Sequence, residues 1–155
     1  MLKSLTMKRA ETGFDPEKFF LALSDKTRLR LLNLMGDDEV CVCFFVKILQ
    51  ENQPKISQHL AYLRKAGVVA TRREGKWMHY RIITPTNPYA AQILRNVRNW
   101  LEENPEMRLE RERLIAVCCS PELSEALQDA PRPAGIGKLK YPCGINGNDH
   151  YQEHS

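Results

Sequence analysis

The sequence predicts a mainly helical α+β domain that carries a single β-hairpin. Three observations predict it. Apolar residues recur at helical spacing in several segments. One segment alternates instead, and it is split by the turn Arg73-Glu74-Gly75-Lys76. Proline and glycine punctuate both kinds of segment. The 155 residues suffice for one domain of ordinary size, and 43% hydrophobic residues allow a real core.

The elements follow in order. Residues 1–13 read as a flexible arm. Asp15-Pro16-Glu17 opens a helix, with an N-cap acid, a proline at the first position and an acid near the positive end of the dipole. Phe19, Phe20 and Leu23 supply its buried stripe. Ser24-Asp25 restarts capping, and a second helix runs through Leu29, Leu32 and Met35 to a terminal Gly36. Asp37-Asp38-Glu39 is a turn. Val40 to Gln50, short and mostly apolar, is a third helix. Gln53-Pro54 opens a fourth, in which Ile56, Leu60 and Leu63 share one face, and Gly67 ends it.

Val68 to Thr71 and Trp77 to Ile83 read as the two strands of the hairpin. Met78, Tyr80 and Ile82 alternate with Trp77, His79 and Arg81, so one face is more apolar. Beyond Pro85 and Pro88, Ala90 to Glu103 is helical through Ile93, Leu94, Val97, Trp100 and Leu101. Pro105 starts a further turn that leads through Leu109 to Cys118. Ser120-Pro121-Glu122 signals a short helix to about Gln128. From Pro131 the chain is a tail without its own core. The organisation is an arm at 1–13, a domain at 14–118, and a short helix with a loose tail at 119–155.

Charge is unevenly placed. Residues 53–83 hold seven Lys or Arg against Glu74 alone, a local +6 within a net +4. That points to a polyanion partner, with nucleic acid first. Two helices, a turn, a third helix with a polar outer face and then a basic hairpin make the winged helix-turn-helix plan. A helix with short polar side chains near its N-terminal end fits the major groove, about 12 Å wide. Gln58 suits bidentate reading of adenine, Lys55 and His59 suit base edges or phosphates, and Ser57 permits close approach. Gln53 and Tyr62 complete the helical set. Arg72, Arg73 and Lys76 of the hairpin suit phosphates or the minor groove.

The segments that carry this plan also resemble a family. Leu21-Ala-Leu-Ser-Asp-Lys-Thr-Arg-Leu-Arg-Leu-Leu is similar to the second-helix signature of the ArsR/SmtB winged-helix repressors. Ser57-Gln-His-Leu-Ala-Tyr-Leu-Arg-Lys-Ala-Gly-Val-Val is similar to their recognition helix. Arg72-Arg-Glu-Gly-Lys with Tyr80 is similar to their wing. The resemblance covers about residues 15–103. It implies a homodimer built on the first and post-wing helices, double-stranded operator DNA as partner, and repression relieved by an inducer.

The cysteines are the candidate inducer site. Cys41-Val42-Cys43 stands at the start of the helix before the recognition unit, and soft thiolates select soft ions and thiophilic metalloids. Within a regular helix, residues two apart point to nearly opposite sides, so one ion takes both sulfurs only if the first turn distorts. Glu39-Val40-Cys41-Val42-Cys43 resembles the inducer site of the arsenic-responsive branch. This implies trivalent arsenic (arsenite, antimonite or methylarsenite) as the inducer. The branch typically adds a third cysteine where this chain has Val46. A two-thiol site would suit a methylated species, whose methyl group fills one valence. The cadmium and lead branch borrows cysteines from an N-terminal arm, and residues 1–14 hold none. Cys118-Cys119 is the alternative pair, at a position that suits low-pKa thiolates if a helix N-cap follows. Cys143 in the tail is within reach of either pair.

Other classes fall away or stay as alternatives. The longest apolar run, Val40 to Val46, is too short to span a bilayer, and the N-terminus has no apolar signal. The expectation is a cytoplasmic protein whose five cysteines are free thiols. Residues 88–117 contain no histidine, unlike the zinc branch. His150 and His154 sit in the tail and are read as incidental. A thiol-based redox switch and a cadmium or lead sensor remain alternatives. A thiol enzyme such as an arsenate reductase is not expected, because no cysteine is followed six residues later by arginine.

Overall fold

The computed structural model describes residues 13–120 and 123–135. Nearly all of the expected arm, Pro121-Glu122 and the tail from residue 136, with Cys143, His150 and His154, lie outside the described residues. The elements are α1 (Pro16–Leu23), α2 (Lys26–Met35), β1 (Val40–Cys41), α3 (Val42–Leu49), α4 (Gln53–Lys65), β2 (Val69–Glu74), β3 (Trp77–Ile82), α5 (Pro88–Glu103) and α6 (Pro105–Cys119). A 3₁₀ turn at Glu125–Leu127 follows. The winged helix-turn-helix plan stands, as a helical domain with a small antiparallel sheet.

Local chemistry explains most boundaries. Asp15, Asp25, Asn52, Asn87 and Asn104 each cap a helix, their side-chain oxygens accepting from first-turn N–H groups. Each such cap contributes about 1 kcal/mol. α3 is the exception: its N-cap is Cys41, which makes no capping hydrogen bond. The turn between α3 and α4 is short because Gln50 adopts the left-handed conformation at φ 54°. The hairpin turns through Gly75-Lys76, with Gly75 at φ 57°, a value that favours glycine in a two-residue connection.

The sheet differs from the expectation. Val40 and Cys41 do not begin the third helix. They form a strand beside β3, so the hairpin becomes a three-stranded sheet in the order β1-β3-β2. Val40 pairs with Tyr80 and Cys41 with His79, while Arg72 pairs with His79 from the other side. Cys41, His79 and Arg72 therefore form one row across the sheet. Helical spacing could not reveal this, because an apolar run of two residues fits either element.

The core lies between α2, α3, α4 and α6 and closes onto the base of the sheet. Leu31, Leu32, Leu34, Phe44, Phe45, Ile56, Leu60, Leu63 and Leu114 are fully buried. Each removes a side chain from water that is worth about 1.5–3 kcal/mol. The stripes expected on α1 and α5 are only half right. Phe19 and Leu94 are buried, but Phe20 is 55% exposed and Trp100 is 73% exposed.

Polar pins fasten α2 to α6. Asn33 Nδ2 donates to the Met107 carbonyl at 2.7 Å, and Arg30 Nε donates to Glu110 Oε1 at 2.7 Å. Arg111 donates to the Leu34 carbonyl and, at 2.8 Å, to Asp38 Oδ2. A Cβ at Gly36 would stand 2.9 Å from that guanidinium, and Gly36 has φ 53°, so only glycine lets Arg111 bridge the end of α2.

The C-terminal expectations are corrected in part. Pro105 starts a full helix rather than a turn. The short helix is a single 3₁₀ turn. Leu127 and Ala130 join the core, and Arg132 donates to the carbonyls of Cys118 and Ser120. The described part of the C-terminal segment thus docks on the domain, packing its 3₁₀ turn against α3. Among the described residues, no helix is long and apolar enough to cross a membrane.

Candidate functional site

The candidate nucleic-acid face is α4 with the hairpin. α4 turns Ile56, Leu60 and Leu63 inward, as its spacing demands, which leaves Gln53, Lys55 and Gln58 exposed and Ser57 half-buried. Lys55 Nζ is held 2.7 Å from Glu51 Oε1. His59 is engaged inward: its Nδ1 lies 3.3 Å from an Arg28 nitrogen and 3.6 Å from Asp25 Oδ1. The Arg28 guanidinium also stacks 4.3 Å from the centre of the Tyr62 ring and donates to the Leu21 and Ala22 carbonyls. His59 and Tyr62 therefore brace α4 against α1 and α2. The sequence reading missed Arg28, and its place two helices before the tyrosine it stacks on gave no periodic signal.

On the hairpin, Arg72, Arg73 and Lys76 are all exposed, as expected. Lys76 Nζ sits 4.8 Å over the Trp77 ring, and Arg73 Nε donates to the Gly75 carbonyl. Arg72 is held more firmly. Its Nε donates to Glu39 Oε1 at 2.7 Å, and its Nη2 lies 3.3 Å from Glu74 Oε2. That hydrogen bond keeps the Glu39 carboxyl below the usual carboxylate range, against the opposing effect of burial.

The first cysteine pair is already assembled. The Cys43 thiol donates to Cys41 Sγ at 3.0 Å. The expectation that the two sulfurs point apart fails because Cys41 is extended, at φ −68° and ψ 141°, and stands outside the helix. No helical turn has to unwind. The Cys43 hydrogen bond draws the Cys41 thiol down to about 7, opposed by burial and aided by the N–H groups of Cys43, Met78 and Val42. Cys43 is pushed up, first by its bond to Cys41 and then by burial. One proton leaves this pair easily and the second is retained. We expect ultraviolet thiolate absorbance to show one step near pH 7, rising with pH, that Cys41→Ser abolishes and Cys43→Ser moves upward. A first step near pH 9 in the wild type would refute the geometry.

The pair fits one thiophilic centre. A tetrahedral ion with bonds of about 2.3 Å sets its sulfurs about 3.8 Å apart. The pair reaches that by a sub-ångström spread. Among the described residues, no third His, Cys, Asp or Glu is gathered with the pair into a metal-sized cluster.

The second pair does not behave as expected. α6 runs through Cys118 and Cys119, so both lie in its last turn, at the negative end of the dipole. Burial pushes the Cys118 thiol up to about 12, which describes an inert thiol. Cys119 is disulfide-bonded, so the expectation of five free thiols does not hold there.

Comparison with known proteins sharpens this. Residues 25–71 match the profile described as "Bacterial regulatory protein, arsR family". The chain is 42% identical over 80 residues to the arsenical resistance operon repressor of Escherichia coli K12, covering 51% of this chain and 68% of that one. It is 36% identical over 113 residues to the arsenic resistance transcriptional regulator ArsR2 of Pseudomonas putida KT2440, covering 67% and 97%. It is also 40% identical over 65 residues to the cadmium resistance regulatory protein CadC of Listeria innocua, covering 41% and 55%.

Proposed function

The chain belongs to the arsR family of bacterial regulatory proteins and is a DNA-binding transcriptional repressor; from that premise we propose that it leaves its operator when trivalent arsenic closes on Cys41 and Cys43. The observation that carries this reading is the 3.0 Å thiol pair at the head of α3. α3 leads through one tight turn into α4, so a displacement at its first residues is delivered to the helix that reads DNA. Arsenous acid would exchange two hydroxyls for the two thiols and release two waters. Its third valence would keep a hydroxyl, or a methyl group in a methylated arsenical. An inducer acts only through its differential affinity for the DNA-free conformation.

The DNA-bound form in this reading is a homodimer joined through α1 and α5. Phe20, Tyr89 and Trp100 are large exposed side chains on those helices that support it. Gln53, Ser57 and Gln58 face the major groove, with Lys55 beside them, while Arg72, Arg73 and Lys76 meet phosphates. Substituting Lys76→Ala is expected to weaken binding to all sequences alike. It should also reduce the slope of log affinity against log salt by about 1 for each protomer's contact. An unchanged slope would remove Lys76 from the interface.

The deciding test uses a duplex that the protein itself selects from a random pool, followed by anisotropy in a phosphine reductant. Release by arsenite supports the reading. Release by cadmium alone, or by peroxide without reductant and metalloid, would replace it with a cadmium-sensing or redox-sensing repressor.

A further inference from the structure

We propose that Glu39 is a positioning residue that couples the dithiol to the wing, by holding Arg72 in place only while Cys41 and Cys43 are free. The inference rests on the reading of that pair as the inducer site.

Four contacts place it. β1, which ends at Cys41, is the third strand of the wing sheet and not part of the helix. Glu39 stands two residues before Cys41, on the same face of the extended chain. From there it reaches across β3 to Arg72 on β2, with Arg72 Nε 2.7 Å from Glu39 Oε1. Arg72 continues to Glu74 Oε2 at 3.3 Å, and His79 Nε2 meets that same oxygen at 2.9 Å. His79 is buried and lies opposite Cys41 in the strand register. The chain of partners therefore starts beside the sulfur and ends on an arginine of the DNA face.

In this inference the chain of partners has two arrangements. With the thiols free, Glu39 fixes an otherwise exposed and rotamer-rich guanidinium, so Arg72 loses less freedom on meeting a phosphate. When the sulfurs spread to hold one centre, β1 moves with Cys41 and carries Glu39 away from Arg72. Charge-assisted hydrogen bonds are steep in distance and angle, so a sub-ångström shift suffices to break this one. The wing then releases DNA alongside α4, by a route that does not pass through the α3–α4 turn.

The test is the ratio of operator dissociation constants with and without arsenite. It is measured for the wild type, Glu39→Gln, Glu39→Asp, Arg72→Gln and the double variant Glu39→Gln/Arg72→Gln. A merely structural role would change both constants together and leave the ratio unmoved. Glu39→Gln is expected to lower the ratio about threefold, the scale of one part-exposed charged contact. Glu39→Asp should keep most of it, and the double variant should fall no further than either single one. If the wild type releases DNA while Glu39→Gln leaves the ratio unchanged, the coupling through Glu39 is overturned and the inducer site stands. If arsenite does not release the wild type, the inducer reading itself fails, and this inference falls with it.

Discussion

The Cys41→Ser/Cys43→Ser variant is expected to remain on its operator at arsenite concentrations that empty the wild type under the proposed reading. Serine keeps the shape and the hydrogen-bonding capacity of cysteine with a smaller atom but forms no durable bond to arsenic, which selects soft sulfur donors. The variant should fold normally and bind DNA within a few-fold of the wild type. Half-buried Cys43 has room for the smaller atom, and fully buried Cys41 keeps a partner for its hydroxyl. What it loses is the whole inducer effect, commonly about 5- to 150-fold in operator affinity for coupled sites. Cys118→Ser serves as the contrast. Its thiol is buried, and burial raises it to about 12, so it should release DNA as the wild type does. If Cys118→Ser is the variant that stays bound, sensing lies beyond the wing and the Cys41–Cys43 contact is packing. Anisotropy titrations of the two variants in parallel decide the matter.

Arg111→Ala is expected to be the most damaging single change on a polar residue. The Arg111 side chain is 21% exposed and that of its partner Asp38 only 8%. Its second bond satisfies the Leu34 carbonyl at the end of α2. Removing the arginine strands a buried carboxylate and frees a carbonyl, and broken buried pairs cost about 3–5 kcal/mol. The partial exposure puts the expected loss near the lower end, about 3 kcal/mol, and lowers the melting temperature by about 10 °C. Urea unfolding at fixed protein concentration measures it. Arg111→Lys should not rescue, since one ammonium cannot reproduce a fork that meets both oxygens. A loss below about 1 kcal/mol would mean that Asp38 finds another partner. The change also bears on function, because Asp38 leads directly into Glu39 and Cys41.

Much of this protein was legible in its sequence, and for local reasons. Asp15, Asp25 and Gly36 mark helix ends because caps and left-handed termini are chemical demands of single residues. Ile56, Leu60 and Leu63 identified the inner face of α4 because side-chain direction on a helix follows from spacing alone. By the same spacing Gln53, Lys55 and Gln58 had to face outward. The +6 stretch marked the candidate DNA face because charge does not depend on fold.

The misses share a cause as well. Val40-Cys41 was placed in a helix because two apolar residues carry no period, and only pairing with β3 made them a strand. Phe20 and Trp100 fit a helical stripe, yet which part of a stripe meets the core depends on how wide the neighbouring helix is. The orientation of His59 depended on Arg28, 31 residues away. The short helix expected to about Gln128 is only a 3₁₀ turn, because Leu127 and Ala130 are too few to form a core and instead complete one made elsewhere.

Local chain chemistry set the helices, the hairpin, the inner and outer faces of α4 and the presence of a dithiol, since each depends on neighbours within a turn or two of chain. Tertiary structure alone decided that the two sulfurs touch, that Glu39 grips Arg72, and that Arg111 pins the turn before them. Those outcomes rest on contacts between strands and helices 33 to 77 residues apart, whose distances no local spacing encodes.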